Sequence, residues 1–207
     1  MIIFFVLLAY LLGSIPNSVW IGKSFYNIDV REFGSGNAGA TNTFRVLGKK
    51  AGIPVLIFDI LKGTLAVALA YLSEFDVNSN EFIDFQLGLG VAALIGHIFP
   101  VFAGFRGGKG VATILGIVVC ILPLACSLSL LVFLLVLTLS RIVSLSSMLA
   151  GISFPIFLNL LLGNTNPILT VFSIIVAVLL IITHRKNIQR LIKKEETKVR
   201  LFPLRHK

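Results

Sequence analysis

The chain has 207 residues, 57% of them hydrophobic and 13% charged, with a mean hydropathy of +0.98 and a net charge of +9. A disordered chain, a collagen-like chain and an ordinary soluble domain are excluded, because 18 basic and nine acidic residues cannot cover a polar surface of that size. A membrane span needs about 20 mostly apolar residues, so seven would use about 140 and leave the short loops seen here.

In chain order the apolar segments are residues 2–21, 53–73, 85–105, 111–125, 128–142, 145–162 and 167–183, with a turn expected at 123–127. The first segment lacks a basic leader and a small-residue cleavage site, so it reads as a retained helix. Five Lys or Arg lie between Lys23 and Lys50, and none between Glu74 and Asp84, where there are four acids. Arg106 and Lys109 follow the third segment, no base lies near Pro123, and Arg141 separates the fifth from the sixth. Residues 163–166 have no base, and nine Lys or Arg lie between Arg185 and Lys207. Basic loops therefore alternate with non-basic ones. The positive-inside rule then predicts seven spans, the N-terminus outside and the C-terminus in the cytoplasm. The expected fold is an all-α integral membrane bundle with Gly-rich cytoplasmic loops. Residues 1–207 form one membrane-embedded domain, ending in a basic cytoplasmic tail at 184–207. Because each basic patch flanks an apolar span, topology explains it, and nucleic acid is not an expected partner. Cys120 and Cys126 resemble neither a disulfide framework nor a metal site.

Three polar stretches fall on the side predicted to be cytoplasmic. The first is Gly34, Ser35, Gly36, Asn37, Ala38, Gly39, Ala40, Thr41 and Asn42, followed by Arg45. Closely spaced glycines let successive N–H groups converge on an anion, and Arg45 adds a fixed charge with fork geometry. The second is Gly96-His97-Ile98-Phe99-Pro100, then Phe105-Arg106-Gly107-Gly108-Lys109-Gly110. Its glycines around Lys109 predict a phosphate cradle at a helix N-terminus. The spacing of a nucleotide-binding P-loop is absent, with Val111 where a hydroxyl residue would be needed. The third is His184-Arg185-Lys186-Asn187-Ile188-Gln189-Arg190-Leu191. If the seventh helix continues, His184, Asn187 and Leu191 share one face. Asp59 and Lys62 lie three residues apart inside the second span, and a local ion pair is expected.

The ordered set GSGNAGATN…R, GHIFP…GFRGGKGVAT and HRKNIQRL resembles the bacterial acyl-phosphate:glycerol-3-phosphate acyltransferase family, over nearly the whole chain. Asp29, Arg31 and the Asp59-x-x-Lys62-Gly63 pattern add to the likeness. Arg106 departs from it, since the family often has Lys there.

The resemblance implies transfer of an acyl group from acyl phosphate to the sn-1 hydroxyl of glycerol 3-phosphate, giving lysophosphatidic acid and phosphate. It implies no cofactor and no metal, and a monomer in the bilayer is the expected state. By motif position, Ser35, Gly34, Gly36, Asn37 and Gly39, with Thr41 and Asn42, contact phosphate or the reacting carbonyl. Arg45 grips a phosphate. Lys109, with Arg106 and the Gly107, Gly108 and Gly110 backbone, offsets charge on the leaving group. Asn187, His184 and Arg185 hold glycerol 3-phosphate. His97 orients the hydroxyl or acts as base, and the substrate phosphate is the other candidate base. Acyltransferases that use acyl-CoA or acyl carrier protein share a His and an Asp separated by four residues. Here Phe102 follows His97 at that spacing and Gln189 follows His184. A small organic-phosphate transporter is the alternative, weakened because the anion groups gather at one predicted face.

Overall fold

The computed structural model describes residues 1–199; Arg200, Arg205 and Lys207 of the expected basic tail lie outside the described residues. Among the described residues every regular element is helical. They are α1 (Ile2–Gly13), α2 (Asn17–Tyr26), α3 (Ala40–Leu47), α4 (Lys49–Ala68), α5 (Asn80–Ile98), α6 (Val111–Ile121), α7 (Pro123–Ser140), α8 (Val143–Ile156), α9 (Pro167–Thr183) and α10 (Arg185–Ile192). The described residues form two compact units, one up to Pro123 and one from Leu124 onward.

Among the described residues, four helical segments can cross a membrane on length and composition: Lys49–Leu72, Asn80–Ala103, Pro123–Ser140 and Val143–Leu161. Two bent pairs raise the number to six, α1 with α2 at 41° and α9 with α10 at 58°. The straight first span expected at 2–21 is thus broken. Pro16 has no N–H and its ring disfavours helix in the residues before it, so α1 stops and α2 restarts at Asn17. The expected span 111–125 is also shorter. Pro123 forces Leu122 out of the helical region, to φ −135° and ψ 60°, and itself opens α7. The break is therefore at Leu122 and not a turn over 123–127. Eleven residues of α6 rise about 16 Å, half of a ~30 Å hydrocarbon core.

In the first unit the helices approach at small residues. A methyl on Gly13 would come 2.0 Å from the Ala93 carbonyl oxygen, and one on Gly96 would come 2.2 Å from that of Tyr10. This seals α1 against α5. Gly63 and Gly116 do the same between α4 and α6, where the Thr64 hydroxyl donates to the Gly116 carbonyl at 3.1 Å. Between apolar lipid tails no hydrophobic effect pulls helices together, so close backbone packing must. At one end of these helices Phe5 packs edge-on to Phe85, among Ala9, Ala66, Ala70 and Leu89.

In the second unit α8 and α9 pack with Gly151 facing the Leu180 side chain. The hydroxyls of Ser146 and Ser147 are satisfied by the carbonyls of Ile142 and Val143 one turn back. Leu131, Leu135 and Leu139 of α7 stay exposed, as side chains facing lipid would be.

Candidate active site

The first glycine-rich segment begins where Asn27 closes α2 in the left-handed conformation. The Asp29 carboxylate accepts the Arg31 backbone amide at 3.0 Å, and the Arg31 Nε and Nη2 groups at 2.9 and 2.7 Å. The Arg31 guanidinium holds the Asp29 carboxyl well below the usual carboxylate range, outweighing burial. In return Asp29 raises the pKa of Arg31. The remaining guanidinium nitrogen donates to the carbonyls of Ala103 at 2.7 Å and Arg106 at 3.4 Å. Arg31 is thus a strut between the first segment and the second.

Gly34 and Gly36 take positive φ values of 60° and 72°, which turn the chain back towards α3. Asn42 then fixes the turn from inside. Its Oδ1 accepts the Ser35 amide at 2.8 Å and the Ser35 hydroxyl at 3.0 Å. Its Nδ2 donates to the carbonyls of Val30 and Phe33. Asn42 was expected at a substrate; it is 1% exposed and its amide is committed to the loop. The Ser35 partner is a neutral carboxamide and not a base, which disfavours an acyl-serine intermediate. On the outer face of α3, Thr41 and Arg45 are both exposed, one turn apart.

The second segment folds differently from the cradle expected of it. The Gly107 amide donates to the Ile98 carbonyl and the Gly108 amide to that of His97, both at 3.1 Å. These two N–H groups staple the loop to the end of α5, so they are not available to an anion. The reason is that α5 ends at Ile98, before Pro100, leaving its last carbonyls to be satisfied. Gly110 caps α6 in the left-handed region at φ 84°. Arg106 is exposed, and Lys109 is half-buried at the head of α6. Gly108 lies against the first segment as well: a methyl there would come 2.2 Å from His97 Nε2 and 2.9 Å from the Ala38 carbonyl oxygen.

Behind His97 lies a buried polar cluster. Asp59 pairs with Lys62 at 3.1 Å, as expected, and also accepts Asn17 Nδ2 at 2.9 Å. Lys62 donates to the Ile15 carbonyl at 2.9 Å, the group freed by the break before α2. Asp59 Oδ1 is 3.9 Å from His97 Nδ1, and Thr113 Oγ1 is 3.1 Å from the same nitrogen. An open cavity of about 450 Å³ is lined by Trp20 and Phe102 with Lys23, Arg31 and Arg106. It joins cationic groups to apolar wall.

In the second unit the helix does not run on past Thr183. His184 turns the chain by 58° into α10 and donates Nδ1–H to the Leu180 carbonyl at 2.7 Å. A carbonyl only accepts, so this nitrogen carries the proton. Asn187 is buried and donates to Glu196 at 2.6 Å. Glu196 also accepts Arg190 at 2.7 Å and Ser144 at 3.0 Å. Burial raises the Glu196 carboxyl, but these hydrogen bonds outweigh it and the net shift is downward. Arg185 is exposed. Glu196, Asn17 and Thr113 were missed in the sequence. Nothing in Lys-Lys-Glu-Glu-Thr-Lys marks the second Glu, whereas Thr113 lies within the GGKGVAT run. Among the described residues no three His, Cys, Asp or Glu side chains gather as metal ligands would.

A family model described as Glycerol-3-phosphate acyltransferase matches residues 3–194. A glycerol-3-phosphate acyltransferase of Listeria monocytogenes serovar 1/2a is 49% identical over 194 residues, covering 94% of each chain. The crystal structure of PlsY (YgiH), an integral membrane glycerol 3-phosphate acyltransferase, in its glycerol 3-phosphate form is 40% identical. It covers 96% of both chains with a TM-score of 0.86. The same protein's lysophosphatidic acid form is 38% identical, with a TM-score of 0.82, covering 96% of this chain and 95% of that one.

Proposed function

Because this chain belongs to the glycerol-3-phosphate acyltransferase family, we propose that it moves a fatty acyl group from acyl phosphate to the sn-1 hydroxyl of glycerol 3-phosphate. The observation that carries this reading is the junction of the two glycine-rich segments. Arg31 ties one to the other, and Gly108 is wedged between His97 and Ala38. Two phosphate-bearing substrates need two cationic seats close together. Arg45 on α3 and Lys109 at the head of α6 are the two cations the two glycine-rich segments offer for these seats. The cavity lined by Trp20, Phe102 and Arg106 beside the junction suits a phosphate with an apolar chain attached.

The glycerol hydroxyl oxygen attacks the acyl carbonyl carbon, and the bond from that carbon to the phosphate oxygen breaks. An acyl phosphate is an activated anhydride, so positioning and charge stabilisation supply most of the acceleration. Lys109, with Arg106, offsets charge on the departing phosphate. Ser35, held by Asn42, presents its hydroxyl to the reacting group. His97 takes the hydroxyl proton, and the phosphate of glycerol 3-phosphate is the other candidate base. In the second unit, the motif resemblance makes Asn187 and His184 the groups that take glycerol 3-phosphate. The alternation of basic loops supports seven crossings, an outside N-terminus and an active site at the cytoplasmic face.

The test is phosphate release by purified protein in lipid mesophase, from palmitoyl phosphate with and without glycerol 3-phosphate and with acyl-CoA as a separate donor. Release that requires glycerol 3-phosphate, with lysophosphatidic acid formed in equal amount, is expected. Activity with acyl-CoA alone overturns the donor.

A further inference from the structure

We infer that Asp59 and Thr113 are positioning residues that hold His97 as the Nδ1–H tautomer, with the lone pair of Nε2 directed at the junction of the two glycine-rich segments.

The ring has two edges with different neighbours. At the Nδ1 edge stand Thr113 Oγ1 at 3.1 Å and Asp59 Oδ1 at 3.9 Å. At the Nε2 edge stand the Cα of Gly108 and, just beyond, the Ala38 carbonyl. Two arrangements satisfy the Thr113 contact. Either Nδ1–H donates to the hydroxyl oxygen, or the hydroxyl donates to an unprotonated Nδ1. The second arrangement points the Nδ1 lone pair at a buried carboxylate oxygen. The first points an N–H dipole at it. In an interior of low dielectric this difference favours the first.

The charge behind the ring is itself fixed. Asp59 is 2% exposed, and it is held by Lys62 from one turn along α4 and by Asn17 from α2. Lys62 is the other charged group of the cluster, and its ammonium is committed to Asp59 and the Ile15 carbonyl. From α6 the neighbour is Thr113, fully buried. The carboxylate therefore cannot swing away, and the ring cannot flip without losing its one hydrogen bond of ordinary length. Nothing in the motif around His97 announces this arrangement. It needs three helices, α2, α4 and α6, to meet the end of α5.

The consequence is chemical. A histidine accepts a hydroxyl proton through an unprotonated ring nitrogen. Only one of the two tautomers places that nitrogen on the Gly108 side, where substrates would lie. Nδ1–H then stays bonded to Thr113 as Nε2 gains the proton. This catalytic meaning rests on the acyl-transfer reading above, whereas the tautomer itself does not.

The chain has three histidines, so selective ¹⁵N-histidine labelling in micelles gives few signals, and His97 is identified by its loss in His97→Asn. Wild type is expected to show Nδ1 protonated and Nε2 unprotonated at neutral pH. Thr113→Val, nearly isosteric, is expected to convert part or all of the population to the other tautomer. It is also expected to lower kcat about tenfold or more with little change in KM. Thr113→Ser is expected to restore both. Asp59→Asn paired with Lys62→Met removes the buried charge without stranding a partner, and is expected to shift the tautomer in the same direction. An Nε2–H signal in wild type, or a tautomer that ignores both Thr113→Val and the double variant, overturns the inference. If the tautomer shifts while kcat does not, His97 is not the base. The acyl-transfer role assigned to it then fails on its own, and the tautomer assignment stands.

Discussion

The Asn42 carboxamide oxygen receives both the backbone amide and the hydroxyl of Ser35, at 2.8 and 3.0 Å. One buried side chain thus sets the loop that carries the most exposed part of the first motif. The two residues are predicted to fail differently. Asn42→Ala removes the acceptor of the Ser35 amide together with the two bonds to the Val30 and Phe33 carbonyls, and is expected to cost about 1–3 kcal/mol. Ser35→Ala gives up one hydrogen bond, about 0.5–1.5 kcal/mol, and leaves the loop in place. Melting in detergent, read beside acyl transfer, separates them. Equal melting temperatures for the two variants would contradict the scaffold role of Asn42.

Glu196 gathers Ser144, Asn187 and Arg190, and its pH behaviour follows from the direction of its shift. These hydrogen bonds hold its carboxyl below the ordinary glutamate range in the folded protein. A depressed pKa contributes stability that is fully present above the unfolded value and is lost as pH falls through the folded one. The second unit is therefore expected to keep this clamp at pH 5–8 and to loosen only below about pH 4.5. Glu196→Gln is expected to remove that acid dependence. It is also expected to raise KM for glycerol 3-phosphate, because glutamine offers one accepting oxygen where the carboxylate offered two, and Asn187, Ser144 and Arg190 must compete for it. An unchanged KM together with unchanged acid sensitivity would show that the clamp holds nothing of consequence.

Lys62 and Asp59 form a buried pair, so breaking it one side at a time leaves a charge in an apolar interior. Lys62→Met alone is expected to destabilise by about 3–5 kcal/mol. Lys62→Met with Asp59→Asn is expected to recover most of that loss, because no unpaired charge remains. A double-mutant cycle by thermal unfolding provides the measure. Simple additivity of the two single variants would mean that the pair does not interact.

Much of this architecture was legible because it depends on local composition. Long apolar runs and the Asp59–Lys62 spacing act within a few residues, whereas the helix breaks at Pro16 and Leu122 were read through as continuous span. The fourth segment, expected at 111–125, is shorter in the structure, because Pro123 limits α6 to 11 residues. Motif residues such as His97 and Ser35 were visible as types, but their partners were not. Thr113, Asn17 and Glu196 matter through contacts 16, 42 and 9 residues from the side chains they meet. No periodicity encodes those separations. The phosphate cradle expected at Gly107 and Gly108 failed for a related reason. Sequence shows glycines beside a lysine, but not that the end of α5 needs two donors to satisfy its last carbonyls.

Two glycines, one against His97 and one nine residues before it on α5, make opposite predictions. Gly88, on α5, has nothing within 4 Å of where a methyl would stand, and its backbone is ordinary helix. Gly88→Ala is expected to be neutral or to stabilise by up to about 1 kcal/mol, through helix propensity alone. Gly108 is enclosed on two sides. A methyl there meets His97 Nε2 at 2.2 Å, His97 Cε1 at 2.9 Å and the Ala38 carbonyl oxygen at 2.9 Å. Below 3.0 Å something must move, and neither neighbour moves freely: Ala38 presents backbone, and the far edge of the His97 ring is held by Thr113. The ring and the first glycine-rich segment must therefore separate by several tenths of an ångström or more. Shifts of about 1 Å in a reacting geometry can cost about 100-fold in rate. Gly108→Ala is accordingly expected to lose 10- to 100-fold in kcat, about the range set by such a displacement, while Gly88→Ala keeps full activity. Wild-type kcat in Gly108→Ala would mean that contact between His97 and the Ala38 loop plays no part in catalysis.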